Sequence, residues 1–148
     1  MSRRNIYQGK GSCYALKEGV FIPGGGVNQD TLPSFIALIL RDLERGYTYD
    51  NSDCRRIRMT EDLALKRLNY LVALSRRHSG VRGKRYVEER LAELIRGFKL
   101  PRGKIRLAGR SDGLKRVVSD LKRIFGSGVR VEAVPSSGKA KRKAVVAS

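Results

Sequence analysis

Four stretches of the sequence carry apolar residues at helical spacing, and a glycine lies just beyond each of them. The predicted helices run from about Leu32 to Arg45, from Thr60 to His78, from Lys84 to Arg96 and from Ser111 to Phe125. Glycine commonly follows a helix because it adopts the left-handed backbone conformation without strain. The sequence therefore predicts a core built mainly from about four helices.

Two short segments near the C-terminus are typical of strands. Lys104 to Leu107 alternates in polarity as a half-buried strand does, and Val129 to Val134 is rich in β-branched residues. With the helix between them they have the size of a βαβ unit. Val20 to Ile22 is a third short strand that could pair with them, whereas Gly46 to Arg58 is predicted to be a loop. The predicted fold class is mainly α (α+β), with a small C-terminal strand–helix–strand unit and basic flexible termini.

The length and the local composition predict three regions. The chain has 148 residues, enough for one domain with a core. Residues 1–30 are rich in glycine and basic residues and are predicted to form a basic N-terminal arm. Residues 31–134 form the predicted helical core domain with the βαβ-like unit. Residues 135–148 are small and basic and are predicted to be a tail that is disordered when free.

The charge balance indicates a polyanionic partner. The chain has 32 Lys and Arg against 14 Asp and Glu, a formal net charge of +18. Such an excess repels itself in a compact fold unless a polyanion neutralises it. Nucleic acid is the first candidate and an anionic membrane surface the second. We expect no membrane span, because no stretch approaches the roughly 20 apolar residues that a spanning helix needs.

Most of the basic clusters lie just before or just after predicted helices. The start of a helix adds backbone N–H donors and a positive dipole end, both of which suit phosphate. If the second and third helices are antiparallel, the turn near Gly80 to Gly83 concentrates five cations at one end of the core. The predicted nucleic-acid-binding residues are Arg3, Arg4, Lys10, Arg55, Arg56, Arg58, Arg76, Arg77, Arg82, Lys84, Arg85, Lys99, Arg102, Lys104, Lys139, Lys141, Arg142 and Lys143.

The pattern favours binding to the phosphate backbone over reading of the bases. A helix-turn-helix needs a recognition helix with Asn, Gln, Ser and Arg on its exposed face, which the third helix does not offer. Aromatic residues are sparse and scattered, so a sheet or groove that stacks bases is not evident. We therefore expect recognition of charge and shape, with double-stranded DNA favoured and RNA as the alternative polymer.

The sequence offers little for catalysis. Its single histidine, His78, lies near a predicted helix end, where a cation is expected. Gly9 to Ser12 lacks the first glycine of a phosphate-binding loop. Asp50 and Asp53 are the only close acidic pair outside a predicted helix, and they are the candidate metal ligands of a nuclease. We expect no enzyme, no catalytic residue, no cofactor and no metal, with a metal-dependent nuclease as the competing enzyme class.

The two cysteines, Cys13 and Cys54, share no metal-binding spacing. The simpler interpretation is two buried free thiols. A disulfide between them stays open, because intracellular disulfides are mainly a feature of hyperthermophiles.

The overall plan resembles a known group of viral proteins. The basic arm that begins Met1-Ser2-Arg3-Arg4, the compact helical middle and the high basicity in under 150 residues are similar to the small DNA-coating capsid proteins of filamentous and rod-shaped archaeal viruses. The resemblance implies a virion structural protein whose subunits self-associate, or pair with a related subunit as dimers, and wrap duplex DNA in a helical assembly.

Three other interpretations remain open at the level of sequence. A ribosomal or other RNA-binding protein shares basic tails and glycine-rich extensions, and a host nucleoid protein would coat DNA without a regular filament. The third is the nuclease. The expected location is the virion for a viral protein, and otherwise the cytoplasm, nucleoid or ribosome.

Overall fold

The computed structural model describes residues 5–24, 26–75, 81–100 and 103–134. The basic residues predicted within 1–4 and the predicted tail from 135 onward lie outside the described residues. The elements in chain order are α1 (Cys13–Glu18), β1 (Val20–Phe21), α2 (Leu32–Arg45), β2 (Tyr47–Tyr49), β3 (Arg56–Arg58), α3 (Glu61–Ser75), α4 (Val81–Gly97), β4 (Ile105–Gly109), α5 (Ser111–Phe125) and β5 (Val131–Ala133). The fold is α+β with helices predominating, as predicted.

The C-terminal strands form the predicted βαβ unit. β4 and β5 are parallel, with Ile105 opposite Val131, and α5 is the connection between them. The other edge of β4 pairs antiparallel with β1, with Val20 opposite Gly109. The sheet order is therefore β1-β4-β5. The sequence allowed β4 to pair with β5 or with the Val20–Ile22 segment. Both pairings occur, because β4 is the central strand and has two edges.

Helix α2 is the centre of the core. All residues from Pro33 to Asp42 are buried, so this helix is enclosed on every side. It packs against α3, α5 and β4, and α4 packs against α3. The Ser34 hydroxyl accepts a 2.8 Å hydrogen bond from the backbone N–H of Arg106, which ties α2 to the central strand.

The expected N-terminal arm is wrong for the described residues up to 24. The side chains of Ile6, Tyr7 and Tyr14 are buried in the core. The Tyr7 carbonyl accepts a 2.7 Å hydrogen bond from the Ile22 N–H, so this stretch lies beside β1. Ser12 caps α1 by accepting from the Ala15 N–H. The tyrosines among the basic residues are core side chains because their hydroxyl groups find buried partners, described below.

The predicted loop from Gly46 to Arg58 is instead a β-hairpin. β2 and β3 are antiparallel, with Tyr47 opposite Arg58 and Tyr49 opposite Arg56. The Asp50 to Asp53 segment is the turn between them, as its composition predicted. The strands form because Thr48 and Tyr49 are buried against the core, which a polar loop would not achieve.

Two glycines allow close packing where β4 leads into α5. A Cβ atom at Gly109 would overlap the Gly19 carbonyl, and Gly109 has a φ of +142°. A Cβ atom at Gly113 would lie 2.5 Å from the Glu18 carbonyl oxygen. Backbone therefore packs directly on backbone where α1, β4 and α5 meet.

None of the helices within the described residues is long and apolar enough to cross a membrane.

Candidate nucleic-acid interface

A buried carboxylate holds the N-terminal segment, α2 and the hairpin together. Asp42 Oδ2 accepts hydrogen bonds from the Tyr7 hydroxyl (3.0 Å) and the Thr48 hydroxyl (2.7 Å), and Oδ1 accepts from the Tyr14 hydroxyl (2.5 Å). Arg45 Nη2 lies 3.0 Å from Oδ1, an ion-pair contact that is not aligned for a hydrogen bond. Burial raises the pKa of Asp42, although Arg45 and the three hydroxyls act in the opposite direction.

A second buried carboxylate, Glu18, continues this network. Its side chain contacts Arg45 at 3.2 Å and Arg41 at 3.5 Å, and it accepts a 2.5 Å hydrogen bond from the Tyr49 hydroxyl. Burial alone would raise the pKa of Glu18, but the Tyr49 hydrogen bond and the two guanidinium groups lower it overall.

The interior cluster is electrically balanced. Arg41 and Arg45 are matched by Glu18 and Asp42, and all four side chains are almost or entirely enclosed. Burial of unpaired charge is costly, so a balanced cluster is the expected arrangement. Because these four groups cancel, the whole formal excess of +18 lies on the rest of the chain.

The hairpin carries an ordered stack of arginine and tyrosine. The guanidinium carbons of Arg45 and Arg56 lie 3.9 Å and 3.7 Å from the Tyr47 ring centroid. Two guanidinium groups cannot occupy one ring face at these distances, so they lie on opposite faces. Cation–π contact of this kind restricts the Arg56 side chain while leaving it exposed. The hairpin therefore presents a positioned cation.

Among the described residues, two of the three predicted hairpin cations have no acidic partner. Within the described ranges, neither Arg56 nor Arg58 lies within 4.0 Å of a carboxylate, and both are exposed. Arg55 contacts Asp53 at 3.4 Å, but both side chains are well exposed and such surface pairs contribute little. All three cations are therefore available to a phosphate backbone.

A cleft of about 330 Å³ lies between the hairpin turn and α3, and we call it the hairpin cleft. Arg67 lies in its wall and donates hydrogen bonds to the Tyr7 hydroxyl (3.0 Å), the Thr48 hydroxyl (2.8 Å) and the Tyr49 carbonyl (2.8 Å). Tyr70 stands at its rim with 57 % of its surface exposed. The lining residues are Asn5, Ile6, Tyr7, Asn51, Lys66, Arg67, Tyr70 and Leu71.

A second cleft of about 380 Å³, the C-terminal cleft, lies beside β5. Its charged lining is Lys104, Lys122, Arg130 and Glu132. Glu132 contacts Lys104 at 3.7 Å and Arg106 at 3.1 Å, so one carboxylate faces several cations. Its walls are completed by Val129 and Val131. The cleft carries net positive charge and suits an anionic ligand.

The predicted binding residues fall in several places. Lys10 is exposed in the turn before α1, Lys99 is exposed after α4, and Lys104 lines the C-terminal cleft. Three others lie on α4, whose side chains are not described at those positions: Arg82, Lys84 and Arg85. Those outside the described residues are Arg3, Arg4, Arg76, Arg77, Arg102, Lys139, Lys141, Arg142 and Lys143. The expected concentration of cations near Gly80 stays a prediction for this reason.

Sequence reasoning missed five residues that line the two clefts: Lys66, Arg67, Tyr70, Lys122 and Arg130. On α3 the sequence did contain a pattern that could have indicated the site, since Lys66 and Tyr70 are four residues apart and lie on one helix face. For the C-terminal cleft no local pattern joins Lys122 on α5 to Arg130 before β5.

The acidic pair in the hairpin turn has structural partners. Asp50 Oδ1 accepts from both the backbone N–H and the hydroxyl of Ser52 at 2.8 Å, which lowers the pKa of Asp50. Asp53 accepts from the Arg55 N–H. Among the described residues, no three His, Cys, Asp or Glu side chains are grouped closely enough to hold a metal ion.

Cys13 and Cys54 form a disulfide, so the simpler interpretation of two free thiols is wrong. The bond joins the start of α1 to the hairpin across 41 positions of sequence. The two residues meet because the N-terminal segment packs on the hairpin, and the disulfide that the sequence left open as the alternative is the arrangement that forms.

No known protein family matches the sequence, and no curated protein or solved structure matches it.

Proposed function

We propose that this chain is a structural nucleic-acid-binding protein that coats and packages double-stranded DNA through phosphate contacts, as a subunit of a virion assembly. The observation that carries the proposal is the distribution of charge. The interior cluster of Glu18, Arg41, Asp42 and Arg45 is balanced, so the large positive excess is left to the exterior and the chain ends.

The exposed cations are arranged to suit a phosphate backbone. Arg56 is held against Tyr47 and stays exposed, and Arg58 lies two residues further along the same strand. Alternate residues of a strand share a face, so the two guanidinium groups follow the strand direction. Arginine binds phosphate through a planar fork of N–H donors that keeps its charge at any physiological pH. The hairpin is therefore the proposed contact with one strand of the duplex.

Backbone contacts of this kind are independent of base sequence and sensitive to salt. A protein that coats a long polymer needs binding that is independent of base sequence, since it must bind every position along the duplex. The virion assignment adds self-association on the polymer, in keeping with the resemblance to archaeal viral coat proteins.

The hairpin contact is tested with the double variant Arg56→Gln, Arg58→Gln, measured by fluorescence anisotropy on a mixed-sequence DNA duplex. We expect the negative slope of log K against log salt to become shallower by about 2, because each phosphate contact contributes roughly 0.9 to its magnitude. The control is Lys17→Gln, Lys115→Gln, which removes the same charge from exposed lysines on α1 and α5. Equal effects of the two double variants would contradict a hairpin contact.

The assembly is tested by electron microscopy of the purified protein mixed with long duplex DNA or with structured RNA. Regular filaments on DNA alone are the expected result. Discrete complexes on RNA without filaments on DNA would overturn the coat-protein proposal in favour of an RNA-binding protein.

A further inference from the structure

The hairpin cleft combines groups that backbone binding to a duplex does not need. Among the described residues, Tyr70 and Leu16 are the large apolar side chains that stand most exposed, at 57 % and 67 %. Leu16 lies on α1 and is not among the residues that line the two described clefts, whereas Tyr70 lies at the rim of a cleft that also holds Lys66, Arg67 and two asparagines. An exposed aromatic ring beside cations and amides is the combination that binds an unpaired nucleotide.

The spacing of these groups along α3 fits one nucleotide. Lys66 and Tyr70 are one helical turn apart, with Cβ atoms separated by about 6 Å at this spacing. A ligand that is complementary to both carries an aromatic ring and a negative charge close together. A nucleoside phosphate is built in this way, with a base and a phosphate on one sugar. The cleft volume of about 330 Å³ is within the range of small-ligand sites.

The second cation of the cleft is held in place before any ligand arrives. Arg67 donates to the hydroxyls of Tyr7 and Thr48, and both hydroxyls in turn donate to Asp42. Its described partners are neutral oxygens, and within the described part of the chain no carboxylate lies within 4.0 Å of its guanidinium group. Arg67 therefore offers a fixed positive charge at low cost in conformational entropy.

The two asparagines supply polar groups for the edge of a base. The Asn5 amide oxygen accepts from the Tyr7 N–H at 2.9 Å, so the amide nitrogen is the donor that this side chain can offer to a ligand. Asn51, in the exposed hairpin turn, also lines the cleft. Leu71 and Ile6 are buried beneath and provide an apolar base to the cleft.

We propose that the hairpin cleft binds one nucleoside phosphate unit, with the base stacked on Tyr70 and the phosphate contacting Lys66 and Arg67. The unit is either a free nucleotide or an unpaired position in a strand. This site goes beyond the proposed coating function, because a base inside an intact duplex cannot stack on Tyr70.

The test compares the wild type with Tyr70→Ala on four probes: adenosine monophosphate, an eight-nucleotide single strand, the same strand with abasic sites, and a blunt duplex. Base stacking contributes roughly 5- to 150-fold in affinity per base, so Tyr70→Ala should weaken binding of the nucleotide or the strand by that factor. Tyr70→Phe should restore it to within about twofold, since the ring is kept. The abasic strand should bind the wild type as weakly as the normal strand binds Tyr70→Ala.

Leu16→Ala is the matched control, since it removes an exposed apolar side chain outside the cleft and should bind all four probes like the wild type. If Tyr70→Ala weakens the binding of adenosine monophosphate alone, the ligand is a free nucleotide. If it weakens the binding of the single strand, the ligand is an unpaired position in a strand. The inference is overturned if Tyr70→Ala binds adenosine monophosphate and the single strand as tightly as the wild type does, or if the wild type binds the abasic strand as tightly as the normal strand.

Binding of the duplex probe distinguishes failure of this inference from failure of the proposed function. If the wild type binds the duplex but Tyr70→Ala changes nothing on the other probes, the cleft inference fails and duplex binding stands. If the duplex does not bind while the nucleotide or strand still depends on Tyr70, the coating proposal fails and the cleft inference stands.

Discussion

Tyr14 and Asp42 are 28 residues apart in the chain and meet in the core, where the Tyr14 hydroxyl donates a 2.5 Å hydrogen bond to Asp42 Oδ1. Both side chains are fully buried. The contact joins α1 to the central helix, and it depends on the negative charge of Asp42, which also faces Arg45.

We expect Asp42→Asn to destabilise the fold by about 3–5 kcal/mol, because it removes one partner of a buried ion pair and leaves Arg45 undercompensated. Urea denaturation followed by circular dichroism measures the change. Asp30→Asn is the control, since Asp30 is exposed and a surface change of this kind stays within about 0.5 kcal/mol. Equal stabilities of the two variants would show that the Asp42 network does not hold the fold.

Gly113→Ala should destabilise the protein although alanine is the better helix former. The added Cβ would lie 2.5 Å from the Glu18 carbonyl oxygen, and such overpacking costs about 1–3 kcal/mol. Gly128→Ala, in the turn after α5, is the control for an added methyl group without a clash, because nothing lies within 4 Å of its Cβ position. Thermal unfolding compares the two. A stability gain for Gly113→Ala would contradict the direct backbone packing of α5 on α1.

Removal of the Cys13–Cys54 disulfide should lower the free energy of unfolding by about 2–4 kcal/mol, as expected for a cross-link that closes a loop of this length. The measurement is denaturant unfolding with and without reductant. The double variant Cys13→Ser, Cys54→Ser should show the reduced stability in both conditions. Two titratable thiols in the unreduced, denatured protein would mean that the bond does not form.

Alkaline pH should unfold the protein as its buried tyrosines ionise. Burial raises the pKa of Tyr7, Tyr14 and Tyr49 above the ordinary value of about 10. A raised folded-state pKa gives stability that is present below pH 10 and is lost as the pH rises further.

Tyrosinate absorbance and circular dichroism, recorded together against pH, check this expectation. Part of the tyrosinate absorbance should appear only with the loss of helix. The exposed-site variant Tyr70→Phe should unfold at the same pH as the wild type. Complete ionisation of all tyrosines before any loss of helix would be inconsistent with buried hydroxyls.

The parts of the fold that were predicted correctly depend on local patterns. Helices α2 and α5 and the β4–α5–β5 unit follow from apolar spacing and flanking glycines within each segment. The N-terminal segment and the hairpin were mispredicted because their partners are distant. Tyr7 is buried because Asp42, 35 positions away, accepts its hydrogen bond, and no local pattern carries that information.

The candidate site was predictable only in part for the same reason. The exposed cations of β3 and Lys104 were identified from charge density alone. The hairpin cleft was not, because Asn5, Asn51 and Tyr70 come from three segments that only the fold brings together. Basic residues near chain ends and helix ends are visible in a sequence, whereas a cleft is a property of packing.

The most direct test of phosphate binding is the affinity of the wild-type protein for a mixed-sequence DNA duplex as a function of salt. If about 6 to 10 phosphates are neutralised by each subunit, the affinity should fall roughly 10³- to 10⁵-fold between 50 and 200 mM salt. An affinity that does not change over this range, or the absence of binding at 50 mM, would contradict the account.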